Sequence, residues 1–473
     1  MRKLDQFYIN GAWVDPAPGS TTHDIVNPAT EAVIGTLAMG TVEDVERSVS
    51  AARAAFPAWS ATSRETRAAL LSRAIELYEA RLEAVGEAIH EEIGAPRWLA
   101  ATRHAPLGPM LLKSAREALE QKAFSERIGN TEVVCEPIGV AALITPWNWP
   151  AAMVAAKVGY ALAAGCTAVL KPSEISPLDA LLFAQILHEA GVPAGVFNMV
   201  YGEGPIVGAA LARHPGVDVI SITGSTRAGS QVAADAAPTL KRVTQELGGK
   251  SPNVILDDAD LDTAVAHGVM AVMINSGQTC IAPTRMLVPR ALHARVVEIA
   301  QAAAAQMKVG APEADNVQVG PVASRAQFDK VQRMIRVGIE EGALLVAGGP
   351  GRPDGLTQGF FVRPTIFANV SNSARIAREE IFGPVLTIIP YDSEEEAITI
   401  ANDTEYGLAA YVWSSDPARA RRVAARLRAG TVGVNGANAD PGAPFGGYKR
   451  SGNGRELGVH GLAEYLEYKS IAL

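Results

Sequence analysis

The sequence predicts an α/β protein with a modified Rossmann-type parallel sheet domain, a second α/β domain and a small β extension, and three observations carry the prediction. Short apolar runs alternate with helical stretches from residue 140 to 247, and a second such alternation starts after Gly249. The length of 473 residues suits two large domains or about three smaller ones. Hydrophobic residues make up 48% of the chain but aromatics only 6%, so Ala, Val, Ile and Leu must fill most of the core.

The first forty or so residues read as short strands and turns, with Asn10-Gly11 between apolar residues marking a hairpin. Thr41 is the expected N-cap of the helix that follows, with Asp44 three residues on. Val42, Val45, Val49, Ala52 and Phe56 recur along one helical face, and Pro57 is expected to end the helix. A second helix from about Thr66 sets Leu70, Ala74, Leu77, Leu82 and Val85 on one side. Within residues 121–138, Gly129-Asn130 precedes Glu132-Val133-Val134-Cys135, which reads as a hairpin inserted between helices. A lone hairpin is marginal in water, and residues 465–471 read as another isolated strand. Both are expected to pair with another subunit, making the protein a homodimer or homotetramer.

From Val140 the apolar runs 140–144, 167–170, 196–200, 217–222 and 242–247 alternate with helices. Right-handed crossovers would lay them in one parallel sheet of the Rossmann type, with ligands outside the C-terminal strand ends. Those ends are Thr145 to Asn148, Lys171 to Glu174, Gly202 to Gly204, Thr223 to Ser225, and Glu246. The second α/β region holds the runs 253–256, 286–288, 385–389, 408–413 and 431–435. Residues 348–359 are expected as a surface loop.

Composition excludes several classes of function. A net charge of -8 repels phosphate-rich partners on average, so nucleic acid is not expected. An anionic cofactor remains open, because helix N-termini hold phosphate locally. No uncharged run approaches the ~18 apolar residues of a membrane span. The most apolar helix, 151–164, is short and carries Lys157 inside it. The opening MRKLDQFYINGAW lacks the apolar centre of a secretory leader. Cys135, Cys166 and Cys280 are odd in number and far apart, which fits neither a disulfide framework nor a zinc site. A reducing cytoplasm and no metal are expected.

Cys280 stands in Ser276-Gly277-Gln278-Thr279-Cys280, among small and polar residues that can present a thiolate. Cys166 and Cys135 sit beside or within apolar strands and read as small core hydrophobes. A thiol nucleophile needs a base, for itself or for the water that later hydrolyses its ester. Glu246 ends a buried strand before Gly248-Gly249, where an apolar setting raises a carboxyl pKa toward neutrality. Gly224-Ser225-Thr226-Arg227-Ala228-Gly229 joins a strand to a helix and suits close approach to phosphate. Gly202-Glu203-Gly204-Pro205 is a weaker look-alike. The usual glycine fingerprint after the first strand is replaced by Thr145-Pro146-Trp147-Asn148, so a dinucleotide must bind in a modified manner. Glu174, past the second strand, can accept hydrogen bonds from ribose hydroxyls and repels a 2′-phosphate. NAD is favoured over NADP, for which Lys171 leaves some room.

Seven short stretches then appear in one order: Pro146-Trp147-Asn148-Trp149-Pro150, Lys171-Pro172-Ser173-Glu174, Thr223-Gly224-Ser225, Glu246-Leu247-Gly248-Gly249-Lys250, Gly277-Gln278-Thr279-Cys280, Glu380-Ile381-Phe382-Gly383-Pro384 and Pro444-Phe445-Gly446-Gly447. Together they resemble the aldehyde dehydrogenase superfamily over nearly the whole chain. One departure is Ile222, where many members carry Phe before Thr-Gly-Ser. The resemblance implies oxidation of an aldehyde to an acid, with Cys280 as nucleophile, Glu246 as base and Asn148 as oxyanion donor. It implies a proton path through Lys157 and Glu456, and places Glu467 at a subunit interface. The implied cofactor set is Ile144, Thr145, Pro146, Trp147, Lys171, Ser173, Glu174, Gly204, Gly224, Ser225, Gly229, Leu247, Glu380 and Phe382. It divides the chain into a dinucleotide-binding domain (1–117 and 138–248), a catalytic domain (249–450) and an oligomerisation extension (118–137 and 451–473). Residues 107–111, Ile281 and 438–445 would line the substrate tunnel. A CoA-acylating member of the same fold and a non-enzymatic relative remain alternatives; a carboxylate at 246 favours hydrolysis.

Overall fold

A computed structural model describes residues 2–473. The five expected strands form one parallel array in the order Arg242–Glu246, Val219–Thr223, Val140–Ile144, Thr167–Lys171, Phe197–Met199. Val140–Ile144 and Thr167–Lys171 are buried along their whole length, as continuous apolar strands covered on both faces must be. Chain order reverses between Val140–Ile144 and Val219–Thr223, so a crevice opens beyond their C-terminal ends. The array is extended by the N-terminal hairpin Phe7–Ile9 and Ala12–Val14, whose Asn10 and Gly11 both have positive φ. On the other edge it gains the short antiparallel strand Gly452–Asn453.

The second sheet runs Leu344–Ala347, Thr365–Ala368, Val385–Tyr391, Arg285–Pro289, Pro252–Ile255, Ala409–Trp413, Thr431–Val434. Only its first pair is antiparallel. Apolar clusters cover both of its faces. A small third sheet joins Ser125–Ile128, Thr131–Pro137 and Leu466–Ala472, and another joins three N-terminal strands. No helix among the described residues is long and apolar enough to cross a membrane.

Three expectations are corrected. Pro57 does not end the first helix, which runs Val42–Ser60 with Pro57 inside it. Proline removes one hydrogen bond there, and the exposed last turn tolerates that loss. The second helix is two helices, Arg64–Glu79 and Leu82–Ile93, broken at Ala80–Arg81. Leu71, Ala74, Ile75 and Tyr78 form the buried face of the first, while Leu70 and Leu77 sit at its margin. The two isolated strands pair with each other in the same chain, Leu466↔Pro137 through Ala472↔Thr131. At the C-terminus, Gly452–Asn453 joins the first sheet and Gly458–Ala463 packs on helices Ala105–Gln121 and Pro150–Ala164.

One buried pair departs from apolar packing. The Glu92 carboxyl accepts from the N–H groups of Leu178 (2.6 Å) and Asp179 (3.4 Å), at the start of helix Pro177–Ala190. Asp179 lies beside it with one carboxyl oxygen buried and unpartnered. Burial raises both groups, and the neighbouring Asp179 pushes Glu92 further. The folded state therefore keeps a proton that the unfolded chain releases as pH climbs past the ordinary carboxylate range. Stability falls with pH across that window. Asp179→Asn should narrow the difference in Tm between pH 5 and pH 8, measured by thermal unfolding.

Candidate active site

The crevice predicted by strand order is a cleft of ≈ 210 Å³ between the two sheets. Pro146, Trp147 and Asn148 reach it from the first strand end, and Thr223, Gly224 and Ser225 from the fourth. Leu247, Gly248, Cys280, Glu380 and Phe382 complete its wall. The expected nucleophile, the expected oxyanion donor and much of the expected cofactor set thus share one space.

Cys280 is presented by an unusual turn. Asn275, Ser276 and Gly277 have φ of 51°, 54° and 74°, three left-handed residues in succession. A single non-glycine residue in that region is uncommon, and two adjacent ones require outside support. The support is visible. Ser276 Oγ donates to Gly320 O at 2.9 Å, and Gln278 Oε1 accepts from the Ala323 N–H at 2.8 Å. Asn275 Nδ2 donates to Asn148 O at 2.8 Å, and Asn148 Nδ2 donates to Gln278 O at 3.0 Å. The Asn148 amide and the turn bearing Cys280 therefore fix each other. Trp149 Nε1 adds a bond to Thr279 Oγ1 at 3.1 Å, and its indole stacks on buried His104 at 4.0 Å. Burial pushes His104 down to about 3, so its ring is neutral.

Burial pushes the Cys280 thiol up to about 12, aided by the carboxyls of Glu380 and Glu246. The backbone N–H groups of Cys280 and Ile281 oppose the shift. Glu246 is 4% exposed and lies behind the wall that Leu247 and Gly248 make. Its Oε1 packs against Gly446 and its Oε2 has no partner. Burial, then the Glu456 charge, raises its pKa well above the usual carboxylate range, against Lys157 and Arg455. Lys157 and Glu456 meet: Lys157 Nζ donates to Glu456 Oε1 at 2.5 Å and to Ser221 Oγ at 2.8 Å. Lys157 is fully enclosed, while Glu456 keeps 11% of its side chain exposed.

The remaining expected residues fall around the cleft. Lys171 Nζ donates to Glu174 Oε2 at 3.1 Å at the second strand end. Burial raises Glu174, but Lys171 and the local N–H groups bring its net shift below the ordinary value. Ser225 caps helix Thr226–Ala236 by accepting from the Ala228 N–H, and Gly229 packs beneath Leu247. Ile144 and Thr145 are buried at the first strand end, and Gly204 opens the turn Gly204–Gly208. Ser173 Oγ is taken by the Ile175 N–H at 3.2 Å. Glu380 Oε1 accepts from the Gly249 N–H at 2.9 Å, and burial raises its pKa. The expected tunnel residues 107–111, Ile281 and 438–445 lie outside this cleft, where Trp149 and Met153 form the apolar wall.

Besides Met153, two cleft residues escaped the sequence. Gln327 and Lys330 come from helix Arg325–Glu340. Gln327 Nε2 donates to Phe382 O at 2.6 Å and holds Phe382 at φ 60°, edge-on to Trp147. Burial lowers Lys330 despite Glu380 beside it. Helical periodicity marks both only as polar positions next to a buried stripe.

Residues 13–471 match the model of the aldehyde dehydrogenase family. The chain belongs to that family. Its reaction is the oxidation of an aldehyde to the corresponding acid. Among curated relatives, 3-succinoylsemialdehyde-pyridine dehydrogenase of a Pseudomonas species is 54% identical over 100% of this chain and 99% of its own. Among solved structures, a mutant of aldehyde dehydrogenase C from Pseudomonas syringae, in complex with NAD+ and octanal, is similar at 55% identity and TM-score 0.98. It covers 99% of this chain and 96% of its own. The Mycobacterium tuberculosis aldehyde dehydrogenase complexed with NAD+ is 40% identical, with TM-score 0.97, covering 100% of this chain and 98% of its own.

The turn before Cys280 yields a direct prediction for this dehydrogenase. A Cβ on Gly277 would stand 2.1 Å from the Gly383 carbonyl, on a backbone at φ +74°. Gly277→Ala should cost at least about 1–3 kcal/mol from strain alone. A lowered Tm together with lost aldehyde oxidation would be the expected result.

Proposed function

We propose that this protein oxidises an aldehyde to the carboxylic acid with NAD, by way of a thioester on Cys280. The observation that carries the reading is the single cleft shared by Cys280, Asn148, Ser225 and Glu380. The residues fit a dinucleotide. Thr223 and Thr226 hydroxyls are buried without partners beside Ser225, at the N-terminus of helix Thr226–Ala236. Ser225 and Trp147 would hold the pyrophosphate, Lys171 and Glu174 the adenosine ribose, and Glu380, beside Phe382, the nicotinamide ribose. The Glu174 carboxylate disfavours a 2′-phosphate, which supports NAD over NADP. NAD, when bound, supplies the acceptor for the aldehyde hydride.

The chain's own residues do the rest. Cys280 gives its proton to solvent, and Sγ attacks the aldehyde carbon as the thiolate. Asn148 Nδ2 carries two protons, and with one given to Gln278 O the other is available to the oxyanion, together with the Cys280 N–H. Once the carbon has given up its hydride, the acyl group stays on sulfur. Glu246 as carboxylate then takes a proton from water, whose oxygen adds to the acyl carbon. The C–S bond breaks, the acid leaves and the Cys280 thiolate is restored, while Lys157 with Glu456 offers the proton a route outward. Trp149 and Met153 suit the carbon body of the aldehyde.

The working unit is taken to be a homodimer or homotetramer. Support comes from the outer strands Ser125–Ile128 and Leu466–Ala472, which leave edge groups open and expose Ile128, Tyr468 and Ile471. Three unpaired cysteines, Cys135, Cys166 and Cys280, accord with a reducing cytoplasm.

Cys280→Ala should abolish NADH formation. Glu246→Gln should still release about one NADH per site but slow steady turnover by roughly 10²- to 10⁴-fold. Because the Glu246 pKa is raised, the base is protonated at acid pH and turnover climbs as pH rises through that value. This limb should vanish in Glu246→Gln, as a pH–rate profile would show. A normal rate in Cys280→Ala would refute the scheme.

A further inference from the structure

We propose that Tyr411 is a positioning residue for Cys280, holding the nucleophile turn from the second sheet while Trp149 holds it from the first. The inference rests on the reading of Cys280 as the nucleophile. Tyr411 lies on strand Ala409–Trp413, and its Oη donates to Ile281 O at 2.9 Å. Ile281 directly follows Cys280, within a turn closed by the Ala282 N–H on Thr279 O at 3.1 Å. On the other side of the sulfur, Thr279 Oγ1 accepts from Trp149 Nε1 at 3.1 Å. Two aromatic side chains, one on a strand of the second sheet and one in the loop that follows a strand of the first, thus pin the residues on either side of Cys280.

The placement of the phenol is built into the strand pair. Tyr411 stands in register with Gly433 on Thr431–Val434. A Cβ at 433 would come 2.9 Å from Tyr411 Cδ1, so the glycine makes room for the ring. Burial, then the Cys280 charge, keeps the phenol protonated and a donor. The consequence lies in which backbone dipoles face sulfur. N–H groups of Cys280 and Ile281 favour the thiolate. A carbonyl turned toward it would oppose it. With its oxygen bound to Tyr411, the Ile281 carbonyl is held toward the strand.

Tyr411→Phe keeps the ring and removes only the donor. Two readouts are needed: the pH profile of Cys280 alkylation by iodoacetamide, followed by peptide mass, and kcat/KM for an aldehyde. At every pH below the thiol pKa the alkylation rate should fall about threefold to tenfold, and kcat/KM should fall about fivefold to tenfold, the worth of one neutral hydrogen bond. KM for NAD should stay unchanged. Glu246 and Glu380 also face the thiol, but the substitution leaves both in place. A space-filling role predicts no change in either readout for Tyr411→Phe, and that outcome overturns the proposal. If alkylating Cys280 in the unaltered enzyme leaves activity intact, the nucleophile reading itself fails and the proposal falls with it.

Discussion

The site depends on the left-handed turn at residues 275–277. Three positive-φ residues in a row lift Cys280 out of the second sheet's framework and against the end of the first. Such a backbone persists only because its neighbours over-determine it. Gly277 presses on the Gly383 carbonyl, Ser276 and Gln278 bond to residues 320–323, and Asn275 exchanges contacts with Asn148. Asn148 follows the first strand of one sheet, and Cys280 belongs to a loop leading into the other. The two sheets therefore meet through the pair of groups proposed to act on one carbonyl.

Desolvation sets the electrostatics of the site. Cys280, Glu246 and Glu380 are all pushed toward their neutral forms. Anions at Cys280 and Glu380 in the cleft and at Glu246 nearby would repel one another, and neutrality removes that cost. The Lys157–Glu456 pair is the nearby ionic exception, and it sits behind Glu246 rather than in the cleft. A raised pKa at the proposed base Glu246, near the partly exposed Glu456 carboxyl, supports the proton route proposed for them.

Much of this was legible in the sequence. Continuous apolar runs from 140 to 247 located all five parallel strands, and their C-terminal ends named most of the cleft wall. The setting of Cys280 among Gly, Gln and Thr distinguished it from Cys135 and Cys166, which the fold buries in or beside strands. What escaped was non-local. Gln327 and Lys330 enter the cleft because a helix far along the chain packs beside 380–383, which no local period reports. Pairing of Leu466–Ala472 with Thr131–Pro137 spans more than three hundred residues, and isolated strands do not name their partner. Pro57 and the break at Ala80–Arg81 show the limits of local rules at exposed helix ends.

The central claim is that the acyl group passes through sulfur at position 280. Its most direct measurement is a peptide mass map of Glu246→Gln protein, acid-quenched within one turnover of NAD and an aldehyde that the enzyme oxidises. The matching acyl increment confined to the peptide containing Cys280 is the predicted result. An unmodified Cys280 peptide, with free acid already formed in amounts equal to NADH, would contradict the account.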